Sequence, residues 1–244
     1  MHFPAVAEAL RAVCSGPIPP GPALDVGCGR GGSTLALSRV LGRFTVGLDA
    51  EGGRLLEARE WAGPTSDFVR GDAARLPLAD RSFALASAAL TLHELEVKLV
   101  GRVLAEVRRV LKPGGVFIVV DKCRLPGLRP SEELPLLTEE AYHGARRLVA
   151  GGEPLGILSP RELLGIVESG GFALEEFVTG RLGRWLSSEE FLASWGRETR
   201  EYLRRARGRP GAERVEEVVE RIVEMARRHG YGPAPVLAAR FSRT

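Results

Sequence analysis

Between residues 23 and 121 the chain alternates short apolar runs with amphipathic stretches, the pattern of strands followed in turn by helices. Leu24 and Val26 make a strand stub that runs into Gly27-Cys28-Gly29-Arg30-Gly31-Gly32. Leu35, Leu37, Val40 and Leu41 then predict a packed helix over 33–41. A second strand over 44–48 ends at Asp49 and precedes a helix over 54–61. The third strand, 67–70, enters Gly71-Asp72-Ala73-Ala74-Arg75, and the fourth covers 82–89. A helix over 96–111 closes on Lys112-Pro113-Gly114-Gly115, and a fifth, all-apolar strand over 116–120 ends at Asp121. This alternation predicts a parallel sheet with helices on both faces.

The flanks follow other patterns. Residues 4–13 predict a helix ahead of the Pro-rich linker Gly16–Pro22. Residues 160–169 predict a helix closed by Gly170-Gly171, before a strand over 172–178, and the last strand covers 235–241. The segments 122–158 and 180–233 are left over, and both are helical by pattern. Thr138 is a candidate cap for a helix over 139–149. Ser187 and Glu190 form a capping box ahead of Phe191, Trp195, Thr199, Tyr202 and Leu203 at helical spacing. Residues 212–229 place Val215, Val218, Val219, Ile222, Val223 and Ala226 on one face. Helical spacing of Tyr142, Trp185, Phe191, Trp195 and Tyr202 favours core packing over a pocket lining. The division expected is one domain: helix and linker 1–22, core 23–121, insertion 122–158, helix and sixth strand 159–179, insertion 180–233 and last strand 234–244.

Composition narrows the class. With 244 residues, 44% of them hydrophobic, the chain suits one α/β domain. No apolar run reaches the length of a membrane span, and residues 1–15 lack a signal-peptide layout, so a cytoplasmic protein is expected. Cys14, Cys28 and Cys123 lie far apart, which predicts buried free thiols, no disulfide framework and no metal. Asn and Gln are absent, and the only lysines are Lys98, Lys112 and Lys122, a usage that suggests a thermophilic source. A formal charge of +3 is too small to argue for nucleic acid. In 180–233, 12 Arg face 9 Glu, interleaved as on a solvated helix face. The amphipathic helices there also suit a homodimer surface.

The glycine turn opens a helix after a strand, so a nucleotide-like ligand is expected over it. Gly27, Gly29 and Gly32 satisfy the dinucleotide spacing G-x-G-x-x-G, which alone is weak evidence. Asp25 argues the other way. A carboxylate ~6 Å from a phosphate charge would cost roughly 2–3 kcal/mol at an effective dielectric of ~20. A ligand without phosphate but with a positive centre would welcome it, and S-adenosylmethionine carries an ammonium and a sulfonium. Asp49, about twenty positions on, suits ribose hydroxyls.

Asp25, Gly27, Gly29 and Gly31 resemble motif I of the class I methyltransferases, (D/E)-x-G-x-G-x-G. With Gly71-Asp72-Ala73 and Lys112-Pro113-Gly114-Gly115, the chain is similar to the small-molecule methyltransferases that include the ubiquinone and menaquinone biosynthesis enzymes. The similarity is strong over 22–121, moderate over 160–178 and 235–242, and slight elsewhere. It departs at Ala84, where that family often has Asp. It implies a Rossmann-like α/β fold: a seven-stranded, mostly parallel sheet with an antiparallel last strand between the fifth and sixth, plus helical lid insertions. It also implies S-adenosylmethionine as cofactor, released as S-adenosylhomocysteine, with contacts at Asp25, Gly27, Cys28, Gly29, Gly31, Asp49, Ala50, Asp72, Ala73 and Ala89. Asp72 would accept from the adenine amine, unless it serves as a helix cap. The absence of Asn removes the Asn-Pro-Pro-Tyr motif of the exocyclic-amine subclass.

In that fold both insertions leave the carboxyl edge of the sheet, so they are expected to wall the substrate pocket. Methyl transfer from a sulfonium needs the nucleophile and methyl held in line at ~3–3.5 Å, and neither metal nor protein nucleophile. A base is needed only if the acceptor must lose a proton. His93, after strand four, is the first candidate and His143 the second, against an ordinary capping or core role. Three readings compete with a small-molecule methyltransferase: an RNA or protein methyltransferase using the Arg-rich insertion, an NAD-dependent oxidoreductase, and a degenerate binding fold. Asp25, Asp49 and Asp72, all present, argue against the last.

Overall fold

The structure, a computed structural model, describes residues 3–244. Among them, seven strands form one sheet: β1 (Ala23–Val26), β2 (Thr45–Asp49), β3 (Ser66–Arg70), β4 (Phe83–Ala89), β5 (Leu111–Lys122), β6 (Phe172–Leu182) and β7 (Ala234–Arg243). Their order is β3-β2-β1-β4-β5-β7-β6. The pairs from β3 through β5 are parallel, and β7 runs antiparallel to both β5 and β6. The expected place of the last strand is therefore observed.

Every residue of β1 and β4 is buried, because helices cover both faces of a parallel sheet. Alternate residues feed two cores. On one face Leu24, Val26, Ala86, Ala88, Phe117 and Val119 meet α4 (Val97–Val110) and α6 (Pro160–Ser169). On the other, Ala23, Leu85, Ile118 and Val120 meet α1 (Phe3–Val13) and α2 (Gly32–Leu41). The helix α3 (Gly52–Glu60) packs Leu55 and Ala58 on Phe68. In the Pro-rich linker, Arg240 donates to the Pro17 carbonyl (2.6 Å), Arg43 to those of Ile18 and Pro19, and Lys112 to that of Pro20 (2.8 Å). The lysine of Lys-Pro-Gly-Gly thus anchors the linker.

The insertions depart from their predicted bounds. The helix expected over 139–149 is α5, Pro130–Ala150, so Thr138 lies inside it and its hydroxyl donates to the Pro135 carbonyl at 2.9 Å. Pro130 at the first turn and Glu132, which accepts from the Arg129 N–H at 3.0 Å, set the true start. Pro135 has no N–H for the Ser131 carbonyl four residues back. That carbonyl accepts instead from Gly232 N at 2.7 Å, so the proline's missing bond ties one insertion to the end of the other. The helix expected from Ser187 onward is two, α7 (Ser188–Ser194) and α8 (Arg197–Ala206). Gly196 breaks it at φ 89°, a left-handed conformation that glycine adopts without a Cβ clash. The last, α9 (Ala212–His229), has the predicted bounds. Leu134 and Ala141 of α5, Phe191 of α7 and Ile222 and Ala226 of α9 form one apolar cluster. Phe191 stacks on Trp195 and Tyr231 and is buried as expected, whereas Trp185 is exposed, and Tyr142 and Trp195 line a cavity. No helix among the described residues is long and apolar enough to cross a membrane.

Candidate active site

The glycine turn leaves β1 at Gly27 (φ 73°), Gly29 (φ 52°) and Gly31 (φ 79°). A Cβ at Gly27 would lie 2.4 Å from Thr91 Cγ2, and one at Gly31 would lie 2.8 Å from Phe68 Cζ. These two positions therefore need glycine for space as well as for backbone conformation. A Cβ at Gly29 would meet open space, as suits a residue facing a ligand. Asp49, at the end of β2, accepts from Gly29 N at 2.8 Å and from Glu51 N at 2.9 Å. It thereby holds the tip of the turn and the start of α3 together.

Asp25 has a different position from the one expected. Its side chain is fully buried, and it accepts from Ser33 Oγ (2.6 Å), Thr34 Oγ1 (2.8 Å) and Ser87 Oγ (2.9 Å). It ties the start of α2 and the middle of β4 to β1, and so supports the turn from beneath. Direct contact with a ligand's positive centre is corrected to this structural role. Burial pushes the carboxyl up to about 6, although the three hydroxyls pull it down.

The other expected contacts divide. The Cys28 side chain is buried against Leu55, Ala58 and Phe68, which leaves only its backbone to a ligand. Burial pushes its thiol pKa up, as it does for Cys14 and Cys123, in keeping with inert free thiols. Ala50 is exposed, and its carbonyl accepts from Arg70 Nε at 3.2 Å. Asp72 is exposed, with Oδ1 accepting from Ala74 N at 2.8 Å in a turn. It caps no helix. Ala73 is half-buried beside it. Ala89 is 8% exposed and belongs to the core. The next residue, Leu90, has φ 55°, an uncommon strain for a bulky side chain, and it lines the cavity.

That cavity, of about 1160 Å³, opens at the carboxyl edge of β4 and β5, under α5 and α8. It reaches Arg30 of the glycine turn, while Asp49, Asp72 and Ala73 lie outside its lining. Leu90, Tyr142, Leu182 and Trp195 give it an apolar wall, and Glu94, Lys122 and Glu139 a charged floor. Residues of both insertions, from Lys122 to Tyr142 and from Leu182 to Gly232, contribute to its lining.

His93 and His143 sit behind that floor, 3% and 6% exposed, and neither lines the cavity. Their assignment as bases touching the acceptor is corrected accordingly. His93 lies in a 3-10 turn (Leu92–Glu94), with Nδ1 2.5 Å from Asp121 Oδ1 and its backbone N–H donating to Asp121 Oδ2 at 3.1 Å. Burial opposes a charged imidazole there, but Asp121 outweighs it and raises the His93 pKa. The His93 Nε2 faces Glu139 Oε2 at 3.8 Å and Glu94 Oε1 at 4.0 Å. From α5, His143 Nε2 faces Glu94 Oε2 at 3.7 Å and Glu139 Oε2 at 4.0 Å. Burial works to raise the Glu94 carboxyl, but the neighbouring His143, His93 and Arg146 hold it at about 2. Lys122 pairs with Glu139, which outweighs burial and raises the lysine's pKa.

Sequence reasoning missed Glu94, Asp121, Lys122 and Glu139. Glu139 and His143 are four apart on a helix, which puts them on one face, but their partners come from two strand ends far away in sequence. The interleaved charges of 180–233 pair locally, as in Arg184–Glu190, Arg204–Glu201 and Arg228–Glu224.

Known proteins resemble this chain in sequence over its first half and in fold. A family model described as a methyltransferase domain matches residues 23–115, from β1 to the first residues of β5. An uncharacterized methyltransferase of Synechocystis is 38% identical over 98 residues, 40% of this chain and 45% of that protein. A phthiotriol/phenolphthiotriol dimycocerosates methyltransferase of Mycobacterium ulcerans is 37% identical over 142 residues, 57% of this chain and 46% of the relative. Demethylmenaquinone methyltransferase of Staphylococcus aureus is 36% identical over 103 residues, 41% and 42%. The chain thus spans less than half the length of these relatives. Among solved structures, a candidate methyltransferase from Bacillus halodurans superposes with TM-score 0.61 at 17% identity, over 98% of this chain and 99% of that one. A geranyl diphosphate methyltransferase solved with S-adenosylmethionine gives 0.58 at 19% identity, over 98% and 84%.

Proposed function

We propose, from the premise that this chain carries a class I methyltransferase domain, that it transfers a methyl group from S-adenosylmethionine to a small, largely apolar acceptor. The observation that carries the reading is the turn at Gly27–Gly31, which falls within the matched residues and whose tip is fastened by Asp49. A dinucleotide pyrophosphate would need the loop's N–H groups as donors. Here Gly29 N already donates to a carboxylate, which disfavours the nicotinamide alternative.

In this reading the cofactor lies across the turn, with its adenine toward Asp72 and Ala73. Its ribose lies toward Asp49, whose oxygens each spend one lone pair on a backbone N–H and keep others for hydroxyls. The methionine end points past Arg30 and Leu90 into the cavity. Leu90, Tyr142, Leu182 and Trp195 suit an apolar acceptor body, and Glu94, Lys122 and Glu139 suit a polar end placed against the incoming methyl. The relatives named for phthiotriol dimycocerosates and for demethylmenaquinone support a small-molecule acceptor. Orientation in such a site supplies on the order of 7–11 kcal/mol toward an in-line displacement.

The experiment is a transfer assay with labelled S-adenosylmethionine against quinol-type and polyketide-type small acceptors, with short RNA and unfolded protein as the other arms. Label in a small acceptor supports the reading. Label in RNA or protein alone would replace it with the macromolecular alternative.

A further inference from the structure

His93 and His143, behind the cavity floor, form a cluster with Glu94 and Glu139 of the floor itself. His93 Nε2, His143 Nε2 and one carboxylate oxygen each from Glu94 and Glu139 lie within 4.8 Å of one another. The facing nitrogen–oxygen pairs are separated by 3.7–4.0 Å. These distances are too long for hydrogen bonds. Four ligands at zinc-type bond lengths of about 2.0–2.2 Å would stand about 3.3–3.6 Å apart in a tetrahedron, so the facing pairs need to close by up to about 0.7 Å and the widest separation by up to about 1.5 Å.

The chemistry around the cluster favours a cation. His93 Nδ1 is taken by Asp121, which fixes the ring and leaves Nε2 aimed at the two glutamates. A carboxylate behind a histidine in this way is the usual outer support of a metal ligand. The His143 side chain is only 7% exposed, and its Nε2 is buried without a hydrogen-bond partner. A buried ring nitrogen left so is costly unless something fills the position it faces. Arg146 takes Glu94 Oε2 at 3.1 Å, and Lys122 takes Glu139 Oε1. Glu94 Oε1 and Glu139 Oε2 then remain for a further partner. Three carboxylates (Asp121, Glu94 and Glu139) face two fixed cations (Lys122 and Arg146) across the two imidazoles. Glu94 and Glu139 also line the cavity, which supplies an entry path.

We infer that His93, Glu94, Glu139 and His143 bind one divalent first-row transition-metal ion. Two imidazoles with two carboxylates suit zinc, iron(II), manganese(II) or cobalt(II) better than magnesium or calcium, which favour all-oxygen sites. The ion would lie beside the cavity floor, where an oxygen of a bound acceptor would complete its coordination. That use rests on the transferase reading, but the binding itself does not.

The test is titration of the tag-free, chelator-treated 244-residue chain with Co²⁺, read by visible ligand-field absorption and by metal content after gel filtration. The expected result is one equivalent per chain, displaced by Zn²⁺ and left in place by excess Mg²⁺. His143→Ala and Glu139→Gln should each weaken binding about 100-fold or more, and Asp121→Asn by about 10–100-fold. His229→Ala, outside the cluster, should bind as the wild type does, and circular dichroism confirms that each variant is folded. Absence of stoichiometric uptake by the wild type overturns the inference, whatever the variants do. Uptake that His143→Ala and Glu139→Gln both leave unchanged also overturns it, since the ion would then lie elsewhere.

Discussion

Replacing Asp25 with Asn separates support of the glycine turn from contact with a ligand. The wild-type carboxyl is fully buried, and its pKa is raised from 3.8 to about 6. Because the folded-state value lies above the unfolded one, the carboxyl favours folding at low pH. That contribution is lost as pH rises through both values. At 1.36 kcal/mol per pKa unit, the full loss is about 3 kcal/mol, of which about 2 kcal/mol falls between about pH 4.5 and 7.5. Asn has no charge to desolvate, and the hydroxyls of Ser33, Thr34 and Ser87 can turn to suit its oxygen and amide. Urea unfolding of both proteins across that range should show the variant gaining about 2 kcal/mol relative to the wild type as pH rises. Affinity for S-adenosylhomocysteine should fall less than it does for Asp49→Ala. A stability difference that stays flat with pH would refute the buried, ionising Asp25. A loss of affinity larger than that of Asp49→Ala would restore the direct-contact role.

Other substitutions probe the turn and the lid. Gly27→Ala meets Thr91 and a positive φ, so it should cost on the order of 2 kcal/mol or more and abolish measurable cofactor binding. Asp49→Ala strands two backbone donors and should lose about 1–3 kcal/mol of stability together with at least tenfold in affinity, read by melting and calorimetry. Asp72→Ala, at an exposed turn, should weaken binding about tenfold while changing stability by under about 0.5 kcal/mol. Unchanged affinity would remove its assigned contact. Gly232→Ala would put a Cβ 2.8 Å from the Ser131 carbonyl oxygen, and limited proteolysis should then cut first within the α7–α9 insertion.

The sheet was legible in the sequence because β1, β2, β4 and the apolar part of β5 are buried on both faces and read as apolar runs between glycine turns. The glycine positions were legible for the same physical reason that makes them necessary, the close approach of Thr91 and Phe68. Asp25 misled because position along a strand says nothing about whether its oxygens are already satisfied. The hydroxyls of Ser33 and Thr34, directly after the turn, were the available signal. The start of α5 was obscured by Pro135, a helix breaker in isolation but tolerated here because Gly232 takes over the freed carbonyl. Nothing local marks the His93–Glu94–Glu139–His143 group, since only the packing of α5 over the ends of β4 and β5 brings its two halves together.

Direct calorimetric titration reads whether the turn over β1 holds S-adenosylmethionine, without knowledge of the acceptor. Saturable micromolar binding of S-adenosylmethionine and S-adenosylhomocysteine, one per chain, is expected, with no heat from NAD. Binding of NAD without binding of S-adenosylhomocysteine would contradict it.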